Sequence, residues 1–439
     1  MRLILSLLLI LSWSSLAAQQ IDVQHYDINL TINPPGDTIA GHTIVTATAT
    51  GGALSEVTLN LLDLTASNVD VDGTPVTTFT QIGDQLIIPL PSPLNDGQSA
   101  DIRVDYSGTP FQDPSGLGGW YQGNPTFNIG VGYTAEPPNL GRVWFPANDN
   151  FTDKATFDFR ITTDTVNEAI CGGTLVGTTD NGDGTETWTW RMDKPITTYN
   201  ASVAVGDYGL YTEEYVSDLT GDTIPMTFYA PVSGMGNVSQ VPSRVGMLEP
   251  ALQIFETYYG PYPQDRIGYI AVGDFPAAME HVENIAMPRL LLQVGGYESV
   301  YVHELSHMWW GGNVNCASAQ DMWLNEGIAT FSESLFYEER DGEAAGRDYR
   351  RENYLLTSIF EAHVDDSGYH ALSGLQNPQP ASVVYGTTNY YKGAAVVHTL
   401  RKYMGDAVFF DAMKSVQSTL APQAIDSEEF RAALEASSG

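Results

Sequence analysis

The segment VYVHELSHMWWGG, residues 300–312, constrains the fold more than any other stretch of this chain. His303 and His307 stand four positions apart, and residues i and i+4 of a helix share one face, so both imidazoles can reach one ion. Glu304 is turned about 100° away, toward whatever the ion activates rather than toward the ion itself. The glycine pair at 311–312 is expected to end this helix. A second helix is expected from Ser318, with Asp321 as capping partner, and it carries WLNEGIATFSE. Eighteen residues separate His307 from Glu326, enough for the chain to turn and lay the second helix antiparallel to the first. Gly327, unusual inside a helix, would let the two backbones approach closely. The pattern demands a helix pair closed around one polar centre.

That centre suits a metal. Two imidazole nitrogens and one carboxylate leave a position open on zinc, the arrangement of a catalytic rather than a structural site. His303, His307 and Glu326 are the expected ligands of one Zn2+ per chain. Glu304 is the expected acid/base, taking a proton and later delivering it to a leaving amine. The rival is a core helix with two hydrogen-bonded histidines. With 8 histidines in 439 residues, a chance match arises in roughly one such chain per hundred, and the glutamate of NEG makes it rarer. Trp309 and Trp310 read as core packing. The residues by themselves point to a zinc peptidase.

The rest of the chain divides by texture. MRLILSLLLILSWSSLAAQQ has Arg2, an apolar run and small residues at Ala17 and Ala18. It reads as a signal peptide over residues 1–18, too short to span a bilayer. Export is therefore expected, to the periplasm or the medium if the source is bacterial. No later run is long enough for stable membrane insertion. From residue 19 to 210 the expectation is an all-β domain. HYDINLTIN, HTIVTATAT, LIIPLP, DIRVDYSG, TFDFRITT and TETWTWRM alternate or are rich in β-branched and aromatic residues, with turns such as VDG and NGDG between them. From 211 to 439 helices prevail, at 297–310, 319–340, 347–363, 390–404 and 426–436. Strands followed by helices imply an α+β catalytic domain after a β domain. A net charge of -34 repels phosphates, which argues against nucleic acid as a partner. Cys171 and Cys316 lie in different domains and read as buried free thiols.

H-E-x-x-H, eighteen residues and a glutamate within WLNEG resemble the aminopeptidase N family of gluzincins, with its leukotriene-hydrolase branch. VQHYDINLTINP, WFPANDNFTDKATFDF and YYGPYPQDRIGYIAVGDF look like segments of the same family, so the likeness covers the mature chain. It implies a saddle-like β domain, then a thermolysin-like zinc peptidase domain acting on peptides with a free N-terminus. The family's Gly-x-Met-Glu-Asn motif corresponds to AAMEH, residues 277–281. Met279 and Glu280 match, while Ala277 and His281 depart. The resemblance makes Glu280 the anchor of the substrate's α-amino group, with Ala278 and Met279 beside it. Tyr-x-Lys-Gly corresponds to YYKG and makes Tyr390 the oxyanion donor, with Tyr385 and Tyr391 as neighbours that could be mistaken for it. Glu136, one position out of register before WFP, is the candidate for a second amine contact. Because the family normally continues past FRAALEASSG, its C-terminal helical domain is expected to be absent or truncated here.

Two other readings use the same residues. A thermolysin-like endopeptidase usually carries NExxSD, where this chain has NEGIAT, and needs no amine anchor. A catalytically inactive scaffold of the same family typically loses a ligand or the base, and here all are present. His281 is ambiguous: protonated, it competes with the substrate amine for Glu280; neutral, it accepts a hydrogen bond.

Overall fold

The computed structural model describes residues 20–273, 275–357, 359, 370–374 and 381–438. The signal-peptide segment lies outside the described residues, as does the end of the helical stretch expected over 347–363.

All six strand segments singled out from the sequence fall in strands. An eight-stranded sheet runs in the order Thr174–Asp180, Thr185–Thr197, Lys154–Asp164, Gln20–Ile32, Ile39–Thr50, Ser99–Gly108, Thr65–Val71, Thr74–Pro75. Only the Gln20–Ile32 and Lys154–Asp164 pair is parallel. The period-2 pattern shows why it forms: Val45, Ala47 and Ala49 point into the core while the threonines between them face outward. A smaller sheet, Glu168–Cys171, Val203–Gly206, Thr126–Gly132 and Gly118–Tyr121, has almost no exposed position. The C-terminal half packs against it, with Asn284 donating to Ser202 and His281 accepting from Gly130.

The C-terminal half has its own sheet, ordered Tyr208–Val216, Thr223–Pro231, Ile267–Val272, Ile285–Pro288. The first pair is antiparallel and the next two are parallel. The change of sheet comes between Gly206 and Tyr208. Helix Leu248–Tyr259 ends at Gly260, whose φ of 102° only glycine adopts readily.

Helix Glu298–Ser306 is buried from Tyr301 onward, as a helix at the centre of a domain must be. It stops before the glycine pair, with His307 as its cap and a series of tight turns through Val314. Ser318 Oγ donates to Asp321 Oδ2 at 2.8 Å, but the Ser318 side chain caps no backbone amide; it precedes a short 3-10 turn, Ala319–Asp321, and the long helix runs Trp323–Asp341. Asp321 also holds the amide and hydroxyl of Ser427, fixing the start of the last helix, Ser427–Ser438. Helix Asp406–Thr419 was absent from the sequence expectations; it buries Phe409, Phe410, Met413 and Val416. No helix among the described residues is long and apolar enough to cross a membrane. Cys171 and Cys316 are buried free thiols.

Candidate active site

Helix Glu298–Ser306 and helix Trp323–Asp341 bring His303, His307 and Glu326 together. One ligand atom from each lies within 4.8 Å of the other two. Glu326 Oε2 is 3.2 Å from His303 Nε2 and 3.4 Å from His307 Nε2. The outer nitrogens are occupied. His303 Nδ1 donates to Glu333 Oε1 at 2.7 Å, and His307 Nδ1 donates to the Trp310 carbonyl at 2.9 Å. With a metal bound, those partners would set the tautomers and present each Nε2 to the centre. Two anchored imidazoles and a buried carboxylate fit zinc. Burial opposes charge on all three, yet the carboxylates raise both histidines well above their ordinary value, and the imidazoles hold Glu326 well below its own.

Glu304 and Glu280 form a second group with His307, again with ligand atoms within 4.8 Å of one another. Burial raises the carboxyl of each above the usual range. Glu280 is presented by an extended segment, since Met279 exchanges both backbone hydrogen bonds with Ala286 at 2.9 Å. That puts it at the sheet edge beside the helix pair. Tyr390 lies in a π-helical turn, Thr388–Lys392, its ring stacked 6.0 Å from that of His303.

These residues line one cavity of about 290 Å³. Ala278, Met279, Glu280, His303, Glu304, His307, Glu326 and Tyr390 all contribute to its wall. The N-terminal domain closes the other side with Leu117, Ile129, Val131 and Tyr133. Tyr385 joins the wall, and its buried hydroxyl has no partner among the described residues. Tyr391 does not reach the lining.

Two expectations need correction, and one left open is settled. Glu136 is exposed and outside the cavity wall; its segment passes over the surface before the chain turns inward at Pro138 and Asn139, so the amine contact expected of it is not brought to the site. Gly327 admits a different neighbour: a Cβ there would meet Gly393 Cα at 2.8 Å, so the close approach is to the helix after Tyr390, not to the histidine helix. His281 is neutral. It is 1 % exposed, accepts the Gly130 amide on Nε2 at 3.2 Å, and burial lowers its pKa to about 3. Glu333 was missed, although it lies seven residues beyond Glu326 on the same helix face.

Comparison with known proteins agrees with this geometry. Residues 22–200 match the Peptidase M1 N-terminal domain and residues 245–439 the Peptidase family M1 domain. The chain belongs to peptidase family M1. Among solved structures, this M1 chain is similar to an M1 zinc metallopeptidase from Deinococcus radiodurans. The TM-score is 0.81 at 26 % identity, covering 95 % of this chain and 91 % of that one. A mutant of that protein bound to a Tyr-Ser-Ala substrate gives a TM-score of 0.82 at 26 % identity, with the same coverage. Aminopeptidase M1 of Arabidopsis thaliana is 28 % identical over 69 % of this chain and 35 % of its own length. Leucine aminopeptidase 2 of Vanderwaltozyma polyspora is 24 % identical over 94 % of this chain and 62 % of its own. The M1 chain thus spans from about a third to three fifths of these curated relatives.

Proposed function

We propose that this chain is an exported zinc-dependent aminopeptidase that hydrolyses the first peptide bond of peptides with a free N-terminus. The site reading rests on one observation: Glu280, Glu304 and the His303/His307/Glu326 group share one cavity, with Glu280 close to both Glu304 and His307. Export rests on the leader at 1–18. Relatives named as aminopeptidases and neighbours named as zinc metallopeptidases support the activity and the metal.

His303, His307 and Glu326 hold the zinc, which when bound supplies a Lewis acid and lowers the pKa of a water to about 7. Glu304 takes up the proton released as the carbonyl is attacked and passes it to the departing amine. Its raised carboxyl suits a group that must carry a proton part of the time. Tyr390 donates its hydroxyl to the carbonyl oxygen as that atom gains charge. Glu280 pairs with the substrate's α-ammonium, which loses hydration on entering a buried cavity and needs an anion there. Ala278 and Met279 form the wall beside it. An amine held at Glu280 leaves room for only one residue before the reacting centre, so geometry selects the terminal bond.

The test combines metal analysis with paired peptides. One zinc per chain is expected, with cleavage of a free-amine peptide and poor cleavage of its N-acetylated twin. Glu280→Ala should keep the zinc and lose at least about tenfold on free-amine substrates, the scale of one charge-assisted contact. Efficient internal cleavage of the acetylated peptide by the wild type would overturn the aminopeptidase reading in favour of an endopeptidase.

A further inference from the structure

His303 reaches Glu333, and Glu333 does not stand alone. Its other oxygen, Oε2, accepts a hydrogen bond from the Tyr349 hydroxyl. Tyr349 comes from helix Glu343–Arg350, which contributes nothing to the cavity wall. Ser299, on the histidine helix itself, lies beside the same phenol. Three helices thereby meet at one point: the one that carries His303, the one that carries Glu326 and Glu333, and the one that follows.

The sequence explains how Tyr349 arrives there. Gly346, three residues earlier and on the same helix face, lets this helix press against Trp323–Asp341; a Cβ at Gly346 would meet Glu338 Cβ at 2.5 Å. Arg350 then pairs with Glu338, which Arg401 also holds at 2.7 Å. Tyr349 further stacks on Tyr337, with ring centroids 4.7 Å apart. Its ring is gripped on one side and its hydroxyl is aimed at Glu333 on the other.

Resting on the zinc reading above, we infer that Tyr349 is a positioning residue for the metal site, holding the Glu333 carboxylate in the orientation that fixes His303. With Oε2 engaged by the phenol, Oε1 is left to accept from His303 Nδ1, and His303 Nε2 stays turned to the centre. Partners of this outer kind are typically worth about 10- to 100-fold in metal affinity. A hydroxyl one bond further out should act at the lower end of that range.

The experiment uses the full-length chain stripped of metal and titrated with zinc against a chromophoric chelator. Tyr349→Phe keeps the ring and its stack but removes the hydroxyl. It should bind zinc about tenfold more weakly and release it correspondingly faster, with kcat near wild type at saturating zinc. Tyr337→Phe, which changes the stacking partner but not the contact to Glu333, should leave zinc affinity unmoved. A purely structural role would instead lower the melting point of both metal-free variants and leave zinc affinity alone. Should Tyr349→Phe fold poorly, Ser299→Ala removes the hydroxyl beside the phenol and should weaken zinc binding in the same direction. Wild-type zinc affinity and release in Tyr349→Phe overturn the inference. Failure of the wild type to take up stoichiometric zinc overturns the zinc reading itself, a separate and recognisable result.

Discussion

At the scale of single residues, the chemistry was legible where a side chain acts on what is next to it. HELSH and NEG named three groups that the structure gathers within 4.8 Å. Glu304→Gln should retain zinc while losing about 10²- to 10⁴-fold in turnover, the usual worth of a positioned acid/base; metal analysis beside a rate assay checks both halves. Tyr390→Phe should lose about 10²- to 10³-fold in kcat with KM little changed. Because Tyr385 lines the same cavity and its hydroxyl has no partner among the described residues, the Tyr385→Phe rate read alongside decides which phenol acts. His281 could not be judged from the sequence, since its state depends on what strand Thr126–Gly132 brings to it. Its pKa of about 3 lies below the ordinary histidine value. Between about pH 6.5 and 3 the unfolded chain therefore binds a proton that the folded chain refuses, and stability falls as pH falls. The slope from this group is about 1.4 kcal/mol per pH unit at most. Replacing it with asparagine, the residue the family resemblance would place there, should flatten that slope in urea unfolding series at several pH values. An unchanged slope would mean His281 is protonated in the fold.

At the scale of elements, periodicity located the strands and most helices, but closeness between elements was hidden. Gly327 looked like a device for joining the two metal-site helices, because those were the helices the motif revealed. Its actual neighbour, Gly393, begins the helix Gly393–Met404 three residues after Tyr390. A single sequence does not say which helices touch, and the Asp406–Thr419 helix that packs nearby was passed over as well. Gly327→Ala puts the matter to the test. Alanine favours an exposed helix over glycine by about 1 kcal/mol, but here its Cβ would sit 2.8 Å from Gly393 Cα and 3.0 Å from the Asn389 carbonyl. Both obstacles are backbone and cannot swing aside, so overpacking should win by about 1–3 kcal/mol. The urea midpoint should fall. The rate should fall too, because the strain is delivered to the turn that carries Tyr390; a stabilised, fully active variant would mean the helices separate freely.

At the scale of the whole molecule, the boundary between textures near residue 210 concealed how thoroughly the two halves share one structure. The N-terminal half reaches across to the loop after the histidine helix, where Lys154 Nζ donates to the Gly312 and Asn313 carbonyls at 3.0 and 2.8 Å and Asn200 to Gly311 at 3.2 Å. In the other direction Arg266 donates to the carbonyls of Gly173 and Cys171 at 2.7 and 3.0 Å. All but half-buried Asn313 are buried backbone acceptors, and leaving a buried one unpaired costs about 1–3 kcal/mol. The cavity is divided in the same way, with Leu117, Ile129 and Val131 facing Glu280 and the histidines. Buried apolar residues of both halves form one continuous cluster. Nothing in strand or helix periodicity reports such cross-domain pairing, since each partner satisfies its own pattern locally. The consequence is a prediction about cooperativity. Urea unfolding followed by far-ultraviolet circular dichroism, which sees both halves, should coincide with unfolding followed by loss of activity, which sees only the site. Residues 208–439 expressed alone should lack a cavity wall, carry unpaired carbonyls at 311–313, and neither fold stably nor cleave peptides. Separate transitions in the intact chain, or an active 208–439 fragment, would show that the site needs no more than its own helices.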